Sequence, residues 1–270
     1  MSKIFNTGET SISLKETYNP EGSVLRECQL RMLEMLIYID NVCNLLGIPY
    51  ILDGGTVLGA VRHGGFIPWD DDVDIAIPRK YFRKLNKYLE ENPHLQFVIQ
   101  NSRTDSGYMG AWSVLRDTKS EYIQDTKIHN IRKYRGVQVD IFPLEEAFGP
   151  KVHWFANRLA DHLIGLQIKK GNLIMARIGY VLCYKLVYPI IRFASIFNRN
   201  NKLMYTLGTC WLTTFDKGLF HNRSVIKFEG YSFYGPQDIN KYLHELYGDY
   251  MCLPPVDKRD HHQATYKIWD

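Results

Sequence analysis

The sequence has no C-x-x-C pair, and its five cysteines, Cys28, Cys43, Cys183, Cys210 and Cys252, are odd in number and mostly set in apolar runs. A disulfide framework or a zinc knuckle is thereby disfavoured, and a reducing compartment fits better. The first residues show no basic stretch running into an apolar one, so the expectation is a cytoplasmic protein without a cleaved secretory signal. Internal repeats and low-complexity tracts are missing as well. Charge of one sign is scarce: a formal net of +4 over 270 residues is too small to name a nucleic acid as partner. What remains is a chain with 45% hydrophobic and 23% charged residues, enough to bury a sizeable core. Its length allows one large domain or a core with an appendage.

Residues 1–22 are polar and broken by Gly8, Pro20 and Gly22, which predicts an irregular arm. From 23 to 46 apolar residues recur at helical spacing (Leu25, Met32, Met35, Leu36, Ile39, Val42, Cys43, Leu46), with Ser23 placed to cap the helix and Gly47 to stop it. A short strand over 49–53, a brief helix over 56–63, a strand over 73–77 and a helix from 78 to about 92 follow. Further strands are expected at 95–100, 111–117 and 136–142. A helical stretch is expected over 151–213, then a hairpin (225–228 and 231–234) and a helix over 236–247. This pattern is α/β, with a mostly helical second half. It divides into an arm (1–22), a catalytic core (23–149) and a helical insert with a C-terminal region (150–270) that completes the same unit.

Residues 53–77 read DGGTVLGAVRHGGFIPWDDDVDIAI and place Asp70, Asp71, Asp72 and Asp74 beside a strand too apolar to be a solvated charge run. Side chains at i and i+2 of a strand share a face, so Asp72 and Asp74 point together while Val73 and Ile75 face the core. Two carboxylates on one face repel, and both stay ionised only with a cation between them. Hard oxygen ligands select Mg²⁺, with Mn²⁺ as the alternative. Asp140, in Val139-Asp140-Ile141, is a third acid on an apolar strand, costly there without a partner. If its strand lies beside the first, three carboxylates converge as phosphoryl transfer requires. Gly54 and Gly55 permit a tight turn and close backbone approach, and a helix opening at Thr56 offers N–H groups to a phosphate.

A Gly-Gly turn, an h-D-h-D-h strand and a later third acid together resemble the DNA polymerase beta-like nucleotidyltransferase superfamily. The fuller string GGTVLGAVRHGGFIPWDDDVDIAIPR is similar to its LicD branch, which includes the fukutin-related proteins. The ending YGDYMCLPPVDKRDHH, residues 247–262, is similar to that family's C-terminal pattern. The resemblance implies a nucleotidyltransferase core with a mixed sheet, and a metal site made of Asp72, Asp74 and Asp140. It implies a donor-phosphate turn of Gly54, Gly55 and Thr56, with Arg62 and His63 near the phosphates. It implies a CDP-linked alcohol as donor and a cell-surface glycan or its lipid-linked precursor as acceptor. A choline head group would call for aromatic faces, and Trp69 and Trp112 are the candidates. Lys133 and Arg135, ahead of the third-acid strand, are candidate substrate contacts. His261 and His262 join them through the family pattern alone.

Residues 151–210 hold nine basic residues and one acid, Asp161. Lys170, Arg177, Lys185, Arg192 and Arg199 follow at steps of seven or eight, within one arc of a helix and between long apolar stretches. Such a stripe reads either as a peripheral contact with the inner face of a membrane, or as the wet side of a helix packed on the core. Lys185, Pro189 and Arg192 argue against a membrane-spanning helix. Two other functions share these residues: transfer of a nucleotide rather than a phospho-alcohol, and an inactive fold acting as a binding module.

Overall fold

The computed structural model describes residues 5–123, 126–146, 148–195, 197, 201–259 and 265–269, so Arg199, His261 and His262 lie outside the described residues. The arm contains a helix, α1 (Ser11–Tyr18), whose start is fixed by reciprocal bonds between Thr10 and Ser13. It escapes a search for apolar period because Leu14 is its one buried residue. Helix α2 (Val24–Leu46) is capped by Ser23 and closed by Gly47 in the left-handed conformation, and it buries Met32, Met35, Leu36 and Ile39.

Strand β1 (Ile51–Leu52) runs into α3 (Gly54–His63), then β2 (Asp74–Pro78) and α4 (Arg79–Glu91). Strands β3 (Phe97–Gln100), β4 (Ser113–Asp117) and β5 (Ser120–Ile123), a single turn α5 (Lys127–Asn130) and β6 (Gln138–Glu146) follow. The main sheet has the order β1-β2-β6-β4-β3, mixed because β2 and β6 are parallel while the other neighbours are antiparallel. Helices α2 and α4 pack on this sheet. The nine-residue β6 outruns its partners, and its last three residues pair with β7 (Lys202–Tyr205), which pairs with β8 (Thr214–Asp216). The expected helical stretch over 151–213 therefore stops at Ser195, and the chain returns to the sheet. Four residues of KLMY carry too little alternation to announce a strand; the free edge of β6 recruits them.

Between β6 and β7 stands a helical hairpin. Its first leg is α6 (Pro150–Ala160), a π turn (Asp161–Gly165) and α7 (Leu166–Lys169); its second is α8 (Leu173–Val181), a π turn (Leu182–Val187) and α9 (Tyr188–Ser195). Two residues of the basic stripe turn to the core and face neither water nor a membrane, while Lys170 and Lys185 are exposed. Arg177 donates to the carbonyls of Ser102 (3.2 Å) and Ser106 (3.4 Å). Arg192 donates to Glu145 (2.6 Å) and Thr206 (3.0 Å). Ion pairing and carbonyl bonds with the core outweigh the usual rule, and the apolar side of α8–α9 is the one left outside. The tail adds the hairpin β9 (Ser224–Phe228) and β10 (Tyr231–Gly235), helix α10 (Ile239–Tyr247) and β11 (Thr265–Ile268), which pairs with β5.

The two legs touch where Gly179 meets Leu163: a Cβ on Gly179 would lie 2.3 Å from the Leu163 carbonyl oxygen. Helix propensity alone makes Gly179→Ala stabilising by about 1 kcal/mol. The close approach reverses the sign, and overpacking of this kind costs roughly 1–3 kcal/mol. The expected outcome is a melting temperature lowered by a few degrees; a raised one would show that the legs are not in contact here.

Candidate active site

The parallel pairing of β2 and β6 sets Asp74 directly opposite Asp140, and the Asp140 amide donates to the Val73 carbonyl at 2.8 Å. Asp140 accepts a bond on each carboxylate oxygen, from the Trp112 indole (2.8 Å) and from Gln138 (3.0 Å). Asp74 is oriented through its backbone: its amide donates to the Thr56 hydroxyl (2.9 Å), and its carbonyl accepts from the Asp53 amide (3.0 Å). Thr56 is buried and holds the acid strand in place, a task different from the phosphate contact expected of it.

Helix α3 begins at Gly54, two residues earlier than expected, with Asp53 as its cap. Gly54 sits at φ +49°, and a Cβ there would lie 3.6 Å from Asp74 Oδ2 and 3.5 Å from the Tyr247 hydroxyl. A Cβ on Gly55 would lie 3.2 Å from Asp70 Oδ2. The two glycines thus bring bare backbone against two carboxylates, which larger residues would push apart.

Asp70 and Asp72 lie within hydrogen-bonding reach of each other, and Asp72 is the strongest charge acting on both Asp70 and Asp74. Burial, then the Asp72 and Asp71 charges, push the Asp70 carboxyl well above the usual range. Burial, then Asp72, Asp140, Asp53 and Asp70, do the same to Asp74. A positive charge brought among them would return these groups to the ionised form. Among the described residues no three His, Cys, Asp or Glu side chains close around one point as a ready-made metal cage. Asp72, Asp74 and Asp140 therefore share a neighbourhood but are not three preset ligands. Two carboxylates with water and phosphate oxygens completing the shell is the arrangement Mg²⁺ ordinarily takes, and these acids fit it.

Several contributors were invisible in the sequence. Asp53 is fully buried and takes both the Tyr205 hydroxyl (2.9 and 3.0 Å) and the Tyr242 hydroxyl. Asp70, ahead of the strand and without an alternation to aim it, belongs to the cluster as well. Tyr247 reaches in from α10, its hydroxyl pushed up by burial and by Asp53 and Asp74. A cavity of about 280 Å³ opens here between Gly54, Asp74, Phe142, Trp211 and Tyr247. Only spacing between Asp53 and the glycines could have hinted at the first of these; Tyr205, Trp211 and Tyr247 arrive from strands and helices far along the chain.

Other expected contacts are placed elsewhere. Arg62 is buried and donates to the carbonyls of Tyr250 (3.2 Å) and Cys252 (3.3 Å), bracing the C-terminal loop; burial lowers its pKa to about 10, against the pull of Tyr247 and Asp70. His63 accepts from Arg62 Nε (3.1 Å) and packs on Phe5 and Trp69. Trp69 is buried under Tyr18 (5.1 Å) and Arg259 (5.3 Å), leaving no open face for a quaternary ammonium. Trp112 is at the site and packs on Trp211 (5.6 Å) and Phe142 (5.2 Å). Lys133 is exposed over Tyr134, and Arg135 pairs with Glu121 at 3.1 Å; neither is brought to the carboxylates. On the other side of Trp112 lies a basic cleft of about 200 Å³, lined among others by Arg79, Arg83, Lys185 and Arg192. Glu145, at the end of β6, binds Arg79 (2.8 Å) and Arg192 (2.6 Å) there. Burial raises the Glu145 carboxyl, but the two guanidiniums outweigh it and hold the group below its usual range.

Residues 47–163, which carry the glycines and every carboxylate of the cluster, match the family described as LicD/FKTN/FKRP, nucleotidyltransferase domain. The lipopolysaccharide cholinephosphotransferase LicD of Haemophilus influenzae is 27% identical over 267 residues, covering 90% of this chain and 97% of that protein. The ribitol 5-phosphate transferases FKRP of Homo sapiens (51% identical over 51 residues) and Mus musculus (48% over 61 residues) match 18% and 22% of this chain. The matches cover 10% and 12% of those longer proteins. The acid cluster lies inside the segment similar to the LicD/FKTN/FKRP nucleotidyltransferase domain, and one relative, a cholinephosphotransferase, aligns along nearly the whole length of the chain.

Proposed function

We propose that this protein transfers a phospho-alcohol, phosphocholine or a close analogue, from a CDP-linked donor to a hydroxyl of a cell-surface glycan or its lipid-linked precursor, working from the cytoplasmic side. The reading takes the α/β core as a nucleotidyltransferase fold. Its main support is the carboxylate cluster of Asp70, Asp72, Asp74 and Asp140 around a glycine turn, in a chain similar end to end to a cholinephosphotransferase. The acceptor oxygen attacks the phosphorus that bears the alcohol, the bond from that phosphorus to the CMP oxygen breaks, and CMP leaves with the electron pair. The hydroxyl proton passes to a carboxylate, for which Asp140 is favoured because Trp112 and Gln138 fix both its oxygens.

Asp72 and Asp74, with Asp140 beside them, would hold Mg²⁺, which supplies positive charge against the donor's phosphate oxygens. Gly54 and Gly55 keep the backbone low enough for the donor to approach the acids. Phe142, Trp211 and Tyr247 wall the cavity beside Asp74. The basic cleft beyond Trp112 suits the negative charge of a donor or acceptor phosphate.

Incubation with a panel of CDP-alcohols, Mg²⁺ and glycan acceptors should release CMP and leave the alcohol phosphate on the glycan, as read by mass spectrometry. A product carrying the nucleotide would instead establish nucleotide transfer, and no turnover with any donor would favour a binding module. Chelation of divalent cations should abolish the reaction. Asp74→Asn and Asp72→Asn should each lower kcat by about 10²–10³-fold or more, the scale of losing a preorganised electrostatic group, with the fold intact by circular dichroism. Asp70→Asn, given its place against Gly55, should fall in the same class; wild-type turnover in it would remove Asp70 from the site.

Trp112→Phe keeps an aromatic ring against Trp211 and deletes the donor to Asp140. Loss of one hydrogen bond to a charged group is worth about 1.5–3 kcal/mol, so kcat should fall at least roughly tenfold. Steady-state kinetics showing an unchanged kcat and a raised KM would assign the tryptophan to substrate binding alone.

A further inference from the structure

Helix α8–α9, the 23-residue run Leu173–Ser195, is apolar enough for its mean hydropathy to reach 1.4 over a membrane-length window. It lies against the protein with Arg177 and Arg192 turned inward and Lys185 exposed on the basic cleft, and its large apolar side chains stand in water. Ile174 is 77% exposed and Phe193 66%, and between them Ile178, Leu182, Leu186 and Ile190 are exposed too. From Ile174 to Ile190 these positions advance in steps of four, and Phe193 follows three residues on. In an α-helix such a row drifts about 40° per step. The wider π turn at Leu182–Val187 takes back part of that drift, so the ridge stays on one side while Arg177 and Arg192 stay on the other. On the neighbouring leg Trp154 and Phe155 are also exposed, with Arg158 stacked over the Trp154 ring at 5.5 Å.

A monomer in water rarely exposes so continuous an apolar surface. Its border is basic: Lys151, Arg158, Lys169 and Lys170 are exposed around it, and the stretch between Glu146 and Asp216 contains one acid, Asp161. A second copy of the chain docking on this face would bring the same positive charge against it. A protein partner has no feature here that calls for it. An anionic lipid surface matches both parts, apolar ridge to acyl region and basic border to head groups. Crossing the bilayer is ruled out by the inward bonds of Arg177 to Ser102 and Arg192 to Glu145, which tie the helix along its length to the catalytic sheet and its loops.

We propose that the exposed apolar ridge of α8–α9 seats the protein on an anionic lipid surface, lying in the interface with the basic residues of the helical hairpin at its border. The inference rests on the placement of this helix alone and not on the transfer reaction. It also replaces the expectation that the stripe of Arg177 and Arg192 makes the contact, since those side chains are turned inward.

The test is co-sedimentation of the full chain with vesicles of phosphatidylcholine alone or mixed with phosphatidylglycerol, at low and high salt. Binding should be strong to the mixed vesicles and weakened, not abolished, by salt. Ile174→Ser with Phe193→Ser should weaken it tenfold or more, because burial of a large apolar side chain contributes about a factor of ten each when complete. The double variant should melt at or above the wild-type temperature, since it loses no buried contact. Absence of wild-type binding to mixed vesicles at low salt overturns the proposal. So does undiminished binding by the double variant, which would assign the contact to charge alone. A wild-type dimer in light scattering that the same two substitutions dissolve, without vesicle binding, overturns it in favour of a second copy.

Discussion

Like-charge crowding is the constraint on which the rest of this structure turns. Parallel pairing of β2 with β6 fixes Asp74 opposite Asp140, and the turn before β2 folds Asp70 and Asp72 into the same space. Repulsion among four carboxylates, together with their burial, raises the local free energy. The surrounding bonds exist to keep them there: the Thr56 hydroxyl on the Asp74 amide, Trp112 and Gln138 on Asp140, two bare glycines where side chains would pry the cluster open. Burial pushes the Asp53 carboxyl upward, while the hydroxyls of Tyr242 and Tyr205 oppose that shift by bonding its charged form. Through it, β1, β7 and α10 meet at a single side chain.

Much of this was readable in the order of residues, for a physical reason. An acid on an otherwise apolar strand has no cheap place in a folded protein, so Asp74 and Asp140 announced themselves, as did the glycines whose permissive backbone the turn requires. Strands flanking the site and the long α2 were legible because burial imposes a period on them. Side chains whose place depends on tertiary contact alone were not. Thr56, Arg62 and His63 sit in the matching segment, but burial turned them to bracing tasks. Trp69 and Trp112 are both tryptophans near acids, and only packing decides that one is enclosed by Tyr18 and Arg259 while the other touches Asp140. Tyr205 and Trp211 carry no local signal at all, and Tyr247 is marked only as the first residue of the C-terminal pattern.

The basic stripe is the most instructive disagreement. Helical period correctly grouped Arg177, Lys185 and Arg192 on one side, and the ordinary rule then put that side in water. The rule assumes that the apolar side has a core to enter. Here the nearby core surface offers Glu145, Thr206 and backbone carbonyls, which satisfy guanidinium groups better than they would satisfy isoleucine. Polarity of the receiving surface, which a single helix's sequence does not contain, decided the orientation.

The helical hairpin leaves the sheet at the end of β6 and returns at β7, and Glu146 faces Leu203 in the register of that pair. Departure and return are therefore neighbours, and the bonds of Arg177 to Ser102 and of Arg192 to Glu145 fix the second leg against the core. A change confined to the outer surface of the hairpin would leave these anchors, and with them Asp74 and Asp140, in place. Descent with modification could thus rewrite the apolar face that the hairpin presents to its surroundings while leaving the carboxylate cluster untouched.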